Sequence, residues 1–207
     1  MATILRNWSY RYQWLYDSIS ALAALSVGGE QRLRNLAWEG FTIHKDTQIL
    51  DLCCGAGQVT RLLVKQSNQV TGLDASPFAI QRASRNVPEA EYVEAFAEKM
   101  PFADSRFDLV HTSVALHEMS PPQLKQILQE VYRVLQPGGM FALIDLHKPT
   151  NLLFVPGLAI FMWLFETETA WQLLATDLVQ ELESIGFQVL KKDLHAGGSL
   201  QVIQAIK

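Results

Sequence analysis

Cysteine is scarce in this chain: the 207 residues include two, Cys53 and Cys54, and they are adjacent. Side by side in one apolar stretch, they suit neither a structural disulfide nor a zinc site with spaced ligands. A reducing, cytoplasmic setting is the expectation. Excess positive charge is missing too, with 17 Lys and Arg against 21 Asp and Glu and a formal net charge of -4. Without a broad cationic surface for phosphate backbones, duplex nucleic acid is excluded as the expected partner. The opening residues, Met1 to Trp8, show no basic segment followed by an apolar core, so no secretory signal is expected. Nor is there a membrane-spanning run of roughly 20 apolar residues. The nearest candidate, residues 151–165, is shorter and contains Pro156 and Gly157. The five histidines lack ligand spacing with carboxylates or cysteines, which predicts no metal.

What is present is enough chain to bury the core of one domain, and a single domain over residues 1–207 is expected. The stretch Ile49 to Gly57, Ile-Leu-Asp-Leu-Cys-Cys-Gly-Ala-Gly, reads as a strand carrying Asp51, then a tight turn with Gly55 and Gly57, then a helix start at Val59 to Leu63. Glycine allows positive φ and close approach of a ligand to the backbone. The next strand, Gln69 to Asp74, ends in an acid at about the distance where βαβ folds place the carboxylate that holds a ribose.

Strands and helices then alternate. Ser76-Pro77 reads as N-cap and first residue of a helix to about Asn86; Glu91 to Phe96 and Phe107 to Ser113 are strands; Pro121 to Leu135 is a helix stopped by Pro137-Gly138-Gly139; Met140 to Leu146 is a strand. Helical patterning before this core, with an aromatic stripe of Tyr10, Tyr12, Trp14 and Tyr16, predicts a cap over residues 1–40. Residues 150–168 form an almost wholly apolar flap. Thr169 with Gln172 resembles a capping box for one helix carrying Trp171, Leu174, Leu178, Leu182 and Ile185, which Gly186 ends. Two alternating runs, Phe187 to Leu194 and Ser199 to Ile206, predict a terminal antiparallel hairpin. The rhythm predicts an α/β, doubly wound, mostly parallel sheet whose ligands collect at the carboxyl ends of the strands.

The order Asp51-Leu-Cys-Cys-Gly-Ala-Gly57, Gly72-Leu-Asp74-Ala-Ser76, Ala97-Glu98-Lys-Met-Pro101-Phe102, Phe107-Asp108-Leu-Val and Leu135-Gln-Pro137-Gly138-Gly139 resembles class I S-adenosylmethionine-dependent methyltransferases. The paired cysteines, Tyr16-Asp17 and Ala115-Leu116-His117-Glu118-Met119 are most similar to the ubiquinone/menaquinone-biosynthesis C-methyltransferases. The resemblance covers nearly the whole chain. It implies a Rossmann-like, seven-stranded sheet and S-adenosyl-L-methionine as cofactor. It further implies that Gly55, Ala56 and Gly57 lie against the methionine part, that Asp51 holds its amino group directly or through water, and that Asp74, beside Ala75, accepts the ribose hydroxyls. Two acceptor oxygens suit a vicinal diol. Thr60 stands where the third glycine of a dinucleotide fingerprint would fall, which counts against NAD.

Ala97, Glu98 and Ser113 complete the expected cofactor set. Phe96 stands where relatives often carry an acid for the adenine amino group. Adenine is left to stack on an aromatic, to bond the backbone around Ala97, or to bind less tightly. For methylation at an aromatic carbon, a general base should deprotonate a neighbouring hydroxyl. His117 is the leading candidate, with Glu118 secondary and a turn-capping or solvent-facing histidine as the competing explanation. Asp145 and His147 rank lower, His111 inside its strand is expected to be structural, and His44 and His195 lie away from the expected mouth.

The expected acceptor is a small, lipophilic, quinol-like molecule methylated at carbon. The apolar flap suggests a prenylated ring reached through transient membrane-surface contact; packing or a homodimer interface explains it almost as well. An O- or N-methyltransferase of a soluble metabolite, and a nonenzymatic cofactor-binding module, are the alternatives. The fourth strand lacks the Asn/Asp-Pro-Pro-Tyr type of sequence similar to base-amino methyltransferases, which further disfavours nucleic-acid bases.

Overall fold

A computed structural model describes residues 29, 32, 35–165 and 167–207. The expected cap over residues 1–40, with its aromatic stripe and Tyr16-Asp17, lies mainly outside the described residues; its end is a short 3-10 turn, Leu36–Trp38.

In chain order the elements are β1 (Gln48–Leu52), α1 (Thr60–Leu63), β2 (Gln69–Asp74), α2 (Pro77–Asn86), β3 (Glu91–Glu94), β4 (Phe107–Ser113), a 3-10 turn at Leu116–Glu118, α3 (Pro121–Val134) and β5 (Leu135–Leu146). After a 3-10 turn at Leu152–Phe154 come α4 (Val155–Phe165), α5 (Glu168–Ala175), α6 (Leu178–Ile185), β6 (Gln188–His195) and β7 (Leu200–Ile206). The strands form one sheet in the order β3-β2-β1-β4-β5-β7-β6. Pairing is parallel from β3 through β5 and antiparallel at β5-β7 and β6-β7. The order reverses between β1 and β4, which opens a crevice at their carboxyl ends.

Each sheet face is apolar for a local reason. The spacing of Leu124, Ile127, Leu128, Val131 and Val134 puts them on one side of α3, and all are buried. They share a core with Leu50, Leu52, Phe107, Phe141, Leu178 and Leu182. The opposite face packs Leu36, Trp38, Val59 and Leu63 over Ile49, Leu109 and Ala142. Each fully buried Leu, Ile or Val contributes about 1.5–3 kcal/mol relative to exposure.

Several boundaries depart from the sequence reading, among them the third strand, expected to Phe96 but ending at Glu94. The single helix expected between Thr169 and Gly186 is two, because Asp177 accepts hydrogen bonds from the backbone N-H groups of Val179 and Gln180 and starts α6 afresh. Thr167, not Thr169, occupies the N-cap position of α5, without a side-chain capping hydrogen bond. The strand expected from Met140 begins at Leu135. Gly138 and Gly139 lie within it, where Gly138 N-H donates to Lys207 O and Lys207 N-H to Gly139 O. Pro156 and Gly157 lie inside a helix of the apolar flap. They fall in the first turn of α4, where a helix has no use for the missing proline N-H. By contrast Ser76 caps α2 through Ala79 N-H, and Gly186 closes α6 in the left-handed region, both as expected.

Arg133, near the end of α3, anchors the loop between β3 and β4. Its guanidinium reaches Glu130, the carbonyl oxygens of Met100 and Phe102, and Asp104, at 2.7–3.0 Å. Hydrogen bonds from Arg133 hold the Glu130 carboxyl below its ordinary range. Lysine cannot match this fork, so Arg133→Lys is expected to cost about 1–3 kcal/mol in urea unfolding. Because Glu130's pKa is lowered in the folded state, its share of that stability is full above the ordinary carboxyl range and fades as pH falls through the lowered pKa.

Candidate functional site

The carboxyl ends of β1, β2, β3 and β4 bring the expected site residues to one edge. Asp51 sits near the end of β1, and the turn after it takes positive φ at Cys53 (58°), Gly55 (55°) and Gly57 (83°). Cys53 is the surprise. A side chain with a Cβ is uncommon there, and such outliers concentrate at ligand sites. At Gly57 an added Cβ would meet Val87 and Ala83 at ordinary contact distance, so it is the positive φ that calls for glycine there.

Asp74 holds this turn directly. Gly55 N-H donates to Asp74 Oδ2 at 2.9 Å, and Ser76 N-H donates to Asp74 Oδ1 at 2.9 Å. Each carboxylate oxygen retains acceptor capacity for a further donor. Ala56 is tied through its carbonyl to Asn86 Nδ2 at 3.0 Å, and Ala75 is exposed beside Asp74.

Beyond β3, Phe96 is 69% exposed, whereas the Ala97 side chain is buried in the core. Glu98 Oε1 accepts from Gln123 Nε2 at 2.8 Å, and Ser113 is half-buried at the end of β4.

The turn is electrostatically negative. Burial, then the carboxylates of Asp74, Asp51, Glu118 and Glu98, push the Cys53 thiol well above its ordinary range. Burial and the same two aspartates do likewise to Cys54. A cleft of this sign favours a cation and opposes a phosphate.

On the other side of the crevice His117 is buried in the 3-10 turn after β4. Its Nδ1 lies 2.7 Å from Asp145 Oδ1. Asp145, at the end of β5, is fully buried; its carboxylate also accepts the backbone N-H groups of Ala115 and Leu116 through Oδ2 and of Leu146 through Oδ1. A carboxylate oxygen can only accept, so this contact is made when His117 Nδ1 carries the hydrogen. The structure thus joins two residues that the sequence ranked apart. His147, also ranked lower, bonds through Nδ1 to Gly198 O at 2.9 Å.

Two side chains outside the expected cofactor set touch Asp51. His111 on β4 is paired in register with Asp51, and its Nδ1 lies 3.1 Å from Asp51 Oδ1. The Thr60 hydroxyl donates to Asp51 Oδ2 at 2.6 Å. Strand alternation, which puts Leu109, His111 and Ser113 on one face, was the available signal for His111.

The flap displays much apolar surface: Leu152 is 82%, Leu153 85% and Trp163 74% exposed, while Met162 packs against Leu146 and Ala170. No helix among the described residues is long and apolar enough to cross a membrane. Among those residues no three His, Cys, Asp or Glu side chains gather as metal ligands.

Residues 49–139 match a family model described as a methyltransferase domain. Over 99% of its length the chain is 60% identical to an uncharacterized methyltransferase of Synechocystis sp., covering 97% of that protein. It is 28% identical to the demethylmenaquinone methyltransferase of Lactobacillus johnsonii, across 88% of this chain and 85% of that one. A TehB-like SAM-dependent methyltransferase from Corynebacterium glutamicum has the same fold, with a TM-score of 0.67 at 18% identity over 98% of this chain and 97% of that one.

Proposed function

This chain belongs to the S-adenosylmethionine-dependent methyltransferases, and from that premise we propose that it methylates a small, lipophilic, quinol-like acceptor at carbon. The observation that carries the acceptor chemistry is the buried His117-Asp145 pair at 2.7 Å, at the end of the strand beside the glycine turn. The demethylmenaquinone methyltransferase relative supports a quinol-like ring, and the exposed apolar flap supports a lipophilic one.

The negative cleft around Cys53 fits a cofactor whose sulfonium and ammonium groups are both cationic. Asp51, the turn from Gly55 to Gly57, Asp74 and Ala75, the segment Phe96 to Glu98, and Ser113 would hold it. When bound, the cofactor supplies a methyl group activated by positive sulfur. The chain's own task is to align the acceptor, exclude water and manage one proton. His117 accepts the proton of the acceptor hydroxyl, which sends electron density to the ring carbon that takes the methyl group. The hydrogen on that carbon then leaves, restoring the hydroxyl and the aromatic ring, so that one proton is released in total. Asp145 fixes the tautomer and balances the imidazolium that results. The four bonds to its carboxylate keep it from turning away. Leu152, Leu153 and Trp163 offer a surface for the acceptor's tail at a membrane face, or for a second copy of the chain.

Incubation with methyl-labelled S-adenosylmethionine and a panel of demethylated quinols tests the reading. Label on ring carbon is the expected result. Label on oxygen or nitrogen would instead make the protein a heteroatom methyltransferase, and cofactor binding with no transfer to any acceptor would make it a binding module.

A further inference from the structure

We propose that His111 is a positioning residue for the cofactor: its Nδ1-H aims the Asp51 carboxylate at the methionine end of the ligand. The inference rests on the reading of Asp51 as the group that meets the amino end of S-adenosylmethionine.

Three carboxylates lie at the carboxyl ends of the sheet's strands, and they are held in different ways. Asp145 accepts three backbone N-H groups and Asp74 accepts two. Backbone donors cannot be removed by changing a side chain. Asp51 is 2% exposed, and its bonding partners among the described residues are two side chains, Thr60 at 2.6 Å and His111 at 3.1 Å. One approaches each oxygen, so their directions set the plane of the carboxylate. Four lone-pair positions less two leave capacity for an ammonium group or a bridging water.

The imidazole itself shows why this role is more than filling space. His111 is fully buried, and its Nε2 has no hydrogen-bond partner among the described residues. Trp38 packs edge-on at 5.0 Å between ring centroids and blocks the ring from swinging elsewhere. An unpaired buried nitrogen is costly, and an apolar side chain of similar size would avoid that cost. Retaining imidazole at this position makes sense if Nδ1-H is needed by Asp51. Thr60 completes the clamp from α1, at the position where a dinucleotide-binding turn would have its third glycine.

The test uses titration calorimetry with two ligands, S-adenosylhomocysteine and methylthioadenosine, which share the nucleoside and differ in the amino-acid tail. His111→Leu removes the donor, while His111→Asn places an amide N-H where Nδ1 now sits. The expected result is that His111→Leu weakens S-adenosylhomocysteine by roughly tenfold or more, leaves methylthioadenosine within about twofold, and is rescued on the first ligand by His111→Asn. A general packing defect would weaken both ligands together, and that outcome overturns the proposal. So does unchanged affinity for both. Should His111→Leu not fold, His111→Gln carries the same expectation, because its amide lies one methylene too far out. Asp51→Asn is run alongside. If it too spares S-adenosylhomocysteine, the reading of Asp51 has failed; if it weakens that ligand while His111→Leu does not, the fault is in the positioning role alone.

Discussion

Replacing His117 by alanine is expected to lower kcat by about 10²- to 10⁴-fold, the range typical of a lost general base. Affinity for S-adenosylhomocysteine should change by no more than about twofold. The division follows from geometry. His117 lies beyond β4 and leans on Asp145 from β5, whereas the glycine turn and Asp74 belong to β1 and β2. Substitution removes a proton acceptor on one side of the crevice and leaves the cofactor ledge on the other side intact. Single-turnover measurement with labelled cofactor separates the two effects, because it reads transfer after binding is complete. A variant that transfers methyl at the native rate across the pH range would remove His117 from the mechanism.

The second large effect is expected at Asp74. Asp74→Ala should reduce S-adenosylmethionine affinity by about tenfold or more, and it should do so by two routes. One is the loss of the paired acceptors proposed for the ribose diol. The other is release of the glycine turn, since Gly55 N-H and Ser76 N-H both end on this carboxylate. Hydrogen bonds to a charged group contribute about 1.5–3 kcal/mol when buried. Asp74 is only half-buried, so the stability cost should fall near the bottom of that range and leave the domain folded. Calorimetric titration with S-adenosylhomocysteine, together with a thermal melt, reads both quantities. Unchanged affinity would refute the ribose assignment. Asp74→Asn is informative beside it, because the amide keeps one acceptor oxygen for the turn and loses the second.

Much of the architecture was legible in the chain itself. The alternation of apolar runs with amphipathic stretches specified a mostly parallel sheet, and the strand at Phe107–Ser113 matches its expected limits. Ser76 with Pro77, and Gly186, announced helix ends through local chemistry: a side-chain acceptor, a fixed φ and a tolerated positive φ. Local signals also misled where two of them overlapped. Thr169 with Gln172 looked like a cap, but Asp177 divided the helix from within.

What the sequence determined by itself is most of the order of elements, the edge of the sheet to which the expected site residues come, and the residue types at that edge, because periodicity and turn chemistry act over a few neighbours. What the tertiary structure alone decided is which of those residues touch. Asp51 and His111 are separated along the chain and meet only because β1 pairs with β4 in one register. His117 finds Asp145 only because β5 lies next to β4. Side-chain pairs of this kind depend on strand neighbours chosen by the whole core, since a shift of one residue in register would turn each partner to the opposite face.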